Sequence, residues 1–101
     1  MNSFNELIKN ARESSGLFLR QVAAEMDIDQ AIISKFERGE RKPTKEQVLK
    51  FANFYELDKE KLLIAWLSDK VAYEIQDEDF AEKALKVAEK KVKYLKEQKL
   101  L

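Results

Sequence analysis

The chain has 101 residues, with 19 basic and 19 acidic side chains and no net charge, which argues against a general nucleic-acid coat but not against a locally charged site. It contains no Cys and no His, which excludes thiol catalysis, disulfides, zinc fingers and His-based acid–base chemistry. At this size one domain, or a small domain with an appendage, is expected, and self-association would help a core so small.

In chain order, Ser3 followed by Glu6 has the capping-box pattern. Phe4, Leu7, Ile8 and Ala11 recur behind it at helical spacing, and Gly16 ends this first helix. Leu17 and Phe18 read as core residues leading into the next segment. Val22, Ala23 and Met26 mark one face of a short second helix; Ile33 and Phe36 mark one face of a third, with Ile28 in the turn between. Ala23 is small enough for two helices to cross closely at about 90–120°. Asp27 stands where the chain must reverse, since Asp tolerates the left-handed conformation better than most residues other than glycine. Asp29 is placed to cap the third helix and Gly39 to end it.

Thr44 with Gln47 repeats the capping-box pattern. It opens a fourth helix with Val48, Leu49, Ala52 and Phe54 or Tyr55 on its apolar face, and Phe51, Phe54 and Tyr55 read as packing residues. Asp58 caps a fifth helix from Lys59 to about Gln76. Leu62, Leu63, Ala65, Trp66, Leu67, Val71, Tyr73 and Ile75 leave little of that helix purely polar, so it needs cover on more than one side. The segment from Leu62 to Leu67 is too short to span a membrane, and no signal peptide opens the chain, so a cytoplasmic protein is expected. Gln76 to Asp79 reads as a turn whose acids favour the start of the next helix; a paired-carboxylate active site there has no acid–base partner. The last helix runs from Phe80 to about Lys99. Ala81, Leu85, Ala88, Val92 and Leu95 step by 4, 3, 4 and 3 residues, a coiled-coil-like seam, and Phe80, Ala84, Val87 and Tyr94 widen it. Glu82–Lys86 and Glu89–Lys93 are ion pairs in the favoured helical order.

One stretch, Arg20 to Pro43 (RQVAAEMDIDQAIISKFERGERKP), says more. Its SKFERGERKP segment, with the turn before it and the glycine in it, resembles the phage repressor/Cro-type (XRE-like) helix-turn-helix family. The similarity runs from about Phe4 to Tyr55. It implies a recognition helix at Gln30 to Arg38, with base-reading places at Gln30, Ala31 and Lys35 and with Ile32 and Ser34 beside the groove. The residue chemistry agrees: Gln can pair bidentately with adenine, Lys can donate to guanine, and Ala31 and Ile32 can meet a thymine methyl. Arg38, Arg41, Lys42 and Lys45 are expected on phosphates, which supply affinity and register. Between Lys35 and Lys45 five basic residues outnumber two acidic ones, Glu37 and Glu40. The resemblance also implies a structural ion pair between Arg12 and Glu37. The sequence departs from the family pattern twice. Phe18 and Leu19 replace a Thr–Gln pair whose Gln touches phosphate, and Asp27 replaces the glycine of the turn.

The expected architecture is all-α: a five-helix lambda-repressor-like DNA-binding domain whose fifth helix, with a sixth, forms a C-terminal helical hairpin. Residues 1–57 would carry the helix-turn-helix and 58–101 the hairpin. The hairpin would make a homodimer through Trp66, Phe80, Leu85, Ala88, Val92 and Leu95, because one recognition helix contacts too few bases for a specific site. The expected function is a sequence-specific, double-stranded DNA-binding transcriptional regulator, a repressor acting by occupancy, without catalysis, cofactor or metal. The resemblance also admits controllers of restriction–modification systems. An antitoxin-like or adaptor protein, whose hairpin binds a different protein, is the alternative.

Overall fold

The structure is a computed structural model that describes residues 3–100, and side chains of residues 3–99. The described residues form six α-helices and no strand: α1 (Phe4–Ser14), α2 (Leu19–Met26), α3 (Gln30–Glu37), α4 (Lys45–Phe54), α5 (Lys59–Ile75) and α6 (Ala81–Leu100). No helix among them is long and apolar enough to cross a membrane. Two compact units are present, Met1–Lys70 and Val71–Leu101, and the division falls within α5.

Local chemistry sets the helix starts. The Ser3 hydroxyl accepts the Glu6 N–H at 3.4 Å and donates to the Glu6 carboxylate at 3.0 Å. Thr44 and Gln47 form a full capping box: Thr44 Oγ1 accepts the Gln47 N–H at 3.2 Å, and Gln47 Oε1 accepts the Thr44 N–H at 3.0 Å. Asp29 accepts the Ala31 N–H at 2.8 Å, and Asp58 accepts the Lys61 N–H at 3.2 Å.

The first four helices also end alike. In each, one residue turns left-handed and the next donates its N–H back across the last turn: Leu17 to Arg12, Ile28 to Ala23, Glu40 to Lys35 and Leu57 to Ala52. This is the Schellman arrangement, which satisfies carbonyls the helix would otherwise leave open. Glycines hold the turning position after α1 and α3; Asp27 and Glu56, both at φ 54°, hold it after α2 and α4. Asp27 thus adopts the backbone a glycine would, at a cost of about 1–2 kcal/mol. Glu56 carries no turn signal in the sequence.

The core of the first unit is built around Phe51 of α4. Phe4 and Phe36 meet its ring edge-on, at centroid distances of 5.9 and 6.1 Å, and Tyr55 stacks on it at 6.2 Å. Ile8, Val22, Met26 and Ile33 complete the layer from the other helices, with Val48 from α4 itself. Leu62 and Trp66 of α5 join the same core. The start of α5 therefore supplies core side chains to the first unit. Asp69 reinforces the attachment by accepting the Phe4 N–H at the head of α1, at 2.8 Å.

Two expectations fail here. Trp66 is not available to a dimer interface: its side chain is buried, and its indole N–H donates to the Pro43 carbonyl at 3.0 Å. An indole N–H withdrawn from water needs such an acceptor. Phe18 is not in the core but 60% exposed. It occupies the N-cap place of α2, where the side chain points outward, and the Arg20 guanidinium lies over its ring at 4.8 Å.

The second unit contains the end of α5, a turn over residues 76–80 and α6. None of its described residues is buried. Phe80, Leu85, Val87, Val92, Tyr94 and Leu95 are between 42% and 73% exposed.

Candidate nucleic-acid interface

The helix α3 has an anchored face and an open face. Ile33 and Phe36 are buried, and the helix packs against α1 and α2. On the other side Gln30, Ala31 and Lys35 are exposed, with Ile32 and Ser34 half-buried at the margins. The cap from Asp29 and the Schellman end at Gly39 hold the helix at both termini. A side chain at Gly39 would be strained by φ 73° and would stand 3.7 Å from the Asn5 amide.

Beneath the open face lies an ion pair. Arg12 of α1 grips Glu37 of α3 with two prongs, Nε to Oε2 at 2.8 Å and Nη2 to Oε1 at 3.0 Å. Its third donor reaches the Leu17 carbonyl at 3.0 Å. The Glu37 carboxylate raises the Arg12 pKa, against the opposing effect of burial. The Glu37 backbone carbonyl accepts from Asn5 at 3.3 Å. One planar guanidinium therefore ties α1, α3 and the loop before α2 together. Beside it the Tyr55 hydroxyl is buried without a hydrogen-bond partner. Burial, with the Glu37 charge second, pushes its pKa up to about 12.

The basic rim follows directly. Arg38, Arg41, Lys42 and Lys45 are all exposed. Arg38 is already engaged: Nε and Nη2 donate to one Glu40 oxygen at 3.0 and 2.8 Å, and Nη1 donates to the Ser34 hydroxyl. That hydrogen bond to Glu40 raises the Arg38 pKa, and the same bond lowers the Glu40 pKa. Ser34 and Arg38, expected on base edge and phosphate, thus make one surface cluster with Glu40. Only the two-residue spacing from Arg38 to Glu40 across a turn hints at this in the sequence. The Trp66–Pro43 hydrogen bond is a second unforeseen feature, and it fixes the chain within the rim, between Lys42 and Lys45.

Two short helices, one capped outward-facing helix and a family model described as helix-turn-helix coincide here, the model matching residues 8–62, over half of the chain. The chain belongs to the XRE-type helix-turn-helix family. It is a DNA-binding transcription regulator of that type. No curated protein matches it closely enough to count as a relative.

In this helix-turn-helix, α2 and α3 are the paired elements, and the match extends to Leu62, the first core residue of α5. At the head of α2 the Phe18 side chain has no acceptor, so it cannot cap. The other half of the cap survives, because Gln21 Oε1 accepts the Phe18 N–H at 2.7 Å. With Leu19 half-buried, α2 offers Arg20 rather than an amide at this end.

Proposed function

We propose that the protein is a repressor that binds a pseudo-palindromic operator as a homodimer and acts by occupying it. The recognition helix enters the major groove. Gln30, Ala31 and Lys35 read base edges there, with Ile32 and Ser34 at the groove wall. Arg38, Arg41, Lys42 and Lys45 contact phosphates, and Arg12 with Glu37 fixes the angle at which α3 is presented. The observation that carries this reading is the open face of α3, held at both ends and left uncovered by its own domain.

The homodimer rests on the uncovered side chains of α6. Phe80, Leu85, Ala88, Val92 and Leu95 are all exposed, and an apolar stripe of that length calls for a partner. A two-fold dimer would set its half-sites about 34 Å apart, one turn of DNA. Regulation of a restriction–modification system is one role such a small dimer fills. No catalytic role is assigned.

The same stripe supports the second reading, an antitoxin-like or adaptor protein that offers α6 to a different protein. Light-scattering sizing of the purified chain separates the two. The first expects a dimer that Leu85→Glu with Val92→Glu converts to monomer; the second expects a monomer from the outset. Selection of bound fragments from genomic DNA tests the operator. A two-fold symmetric consensus supports the proposal, and recovery of fragments without any shared sequence overturns it.

A further inference from the structure

Charge along the C-terminal segment is sharply divided. From residue 77 to 89 there are five acids (Asp77, Glu78, Asp79, Glu82, Glu89) and two lysines, a net charge of −3. From residue 90 to 99 there are five lysines (Lys90, Lys91, Lys93, Lys96, Lys99) and one acid, a net charge of +4. All of these side chains are exposed, as is the apolar stripe they flank. The segment is therefore an electrical dipole laid along a helix with an uncovered apolar face.

We infer that two copies of α6 pair antiparallel, centred near residue 90; this rests on the homodimer proposed above and adds its orientation. Parallel pairing would set −3 against −3 at one end and +4 against +4 at the other, and would stack Lys99 on its own copy at a seam position. Antiparallel pairing sets the acidic end of each helix against the basic end of the other. Glu82 of one copy then flanks the seam beside Lys96 of the second, twice by symmetry. The apolar sizes match as well. Leu85 faces Leu95 of the second copy, and the small Ala88 faces the larger Val92, where a parallel pair would oppose Ala88 to Ala88 and leave a gap. The backbone dipoles of the two helices also oppose each other favourably in this orientation. In this orientation Lys99 faces the small Ala81 of the second copy at the end of the seam rather than another Lys99.

The chain has no Cys, so single cysteines can carry spin labels on the full-length protein. Positions 83, 90 and 97 lie one heptad apart, on the exposed side of α6 away from the seam. In the antiparallel pair positions 83 and 83 of the two copies are offset along the axis by about 21 Å, as are 97 and 97, while 90 and 90 are level. The label–label distance is therefore shortest for Lys90→Cys, and about 5–10 Å longer for Lys83→Cys and Glu97→Cys. Three equal distances in a protein that sizes as a dimer would mean parallel helices, and would overturn the orientation while leaving the dimer intact. A dimer in which the three distances differ but position 90 is not the shortest puts the seam elsewhere and overturns the pairing. A monomer overturns the homodimer and the orientation with it. As a second readout, raising salt from 0.05 to 0.5 M weakens the antiparallel dimer severalfold, because screening removes the end-to-end attraction; a dimer that tightens with salt contradicts it.

Discussion

The two units of the chain treat similar proportions of apolar sequence in opposite ways. In the first, side chains from five helices converge, and Ile8, Val22, Ile33, Val48 and Phe51 reach zero exposure. In the second, α6 has strong helix formers and Glu–Lys spacings in the favoured helical order, yet its apolar residues stay open. Helical propensity and local pairs can shape a helix, but only convergence from several directions buries one. The helix-turn-helix lies in the unit that completes itself.

The comparison breaks most directly at one residue from each unit. Phe51→Ala should lower stability by about 3–5 kcal/mol, since it empties the centre of an aromatic cluster. Leu85→Ala should change the stability of the monomer by less than about 0.5 kcal/mol. Urea unfolding at low concentration measures both, and a large loss for Leu85→Ala would mean that α6 is covered by its own chain. Next in size, Glu37→Ala should cost about 2–4 kcal/mol, because it leaves the Arg12 guanidinium part-buried and unpaired. Its signature in the same titration is a shifted midpoint with an unchanged slope.

Much of the first unit was legible because caps and turns are local. Ser3, Asp29, Thr44 and Asp58 each bond within three residues of themselves, so their spacing alone announces the helix starts. The Arg12–Glu37 pair spans 25 residues, and resemblance rather than spacing pointed to it. What stayed hidden was direction. A helix apolar on several sides, such as α5, does not say which side turns inward, so its spacing alone does not reveal that Trp66 is buried. Glu56 turns left-handed without glycine or asparagine to mark it. The Ser34–Arg38–Glu40 cluster depends on side-chain torsions that no sequence pattern specifies.

That cluster sharpens the account of binding. In the proposed binding mode Glu40 competes with DNA for Arg38, and an exposed pair of this kind is weak enough for a phosphate to displace. Glu40→Gln should raise affinity for random DNA by about two- to fivefold, in proportion to the freed cation. Repeating the measurement with Arg38→Ala present should abolish the gain; a gain that persists would make Glu40 a general repeller rather than a competitor. The smallest effect concerns Tyr55. Its ordinary pKa of 10.0 is raised to about 12 in the fold, so the neutral phenol's contribution is complete below pH 10 and is lost as pH rises towards 12. Tyr55→Phe should change stability at neutral pH by less than about 1 kcal/mol, because the hydroxyl has no partner to lose. It should also make alkaline unfolding between pH 10 and 12 shallower.

The central claim is that α3 reads bases through its open face, and Gln30 is the residue to ask. Binding of the wild-type protein and of Gln30→Ala should be measured at one salt concentration, on the selected operator and on random DNA. The account predicts a loss of about 1–3 kcal/mol on the operator and almost none on random DNA. Equal losses on both would contradict it, leaving Gln30 as one more contact to the backbone.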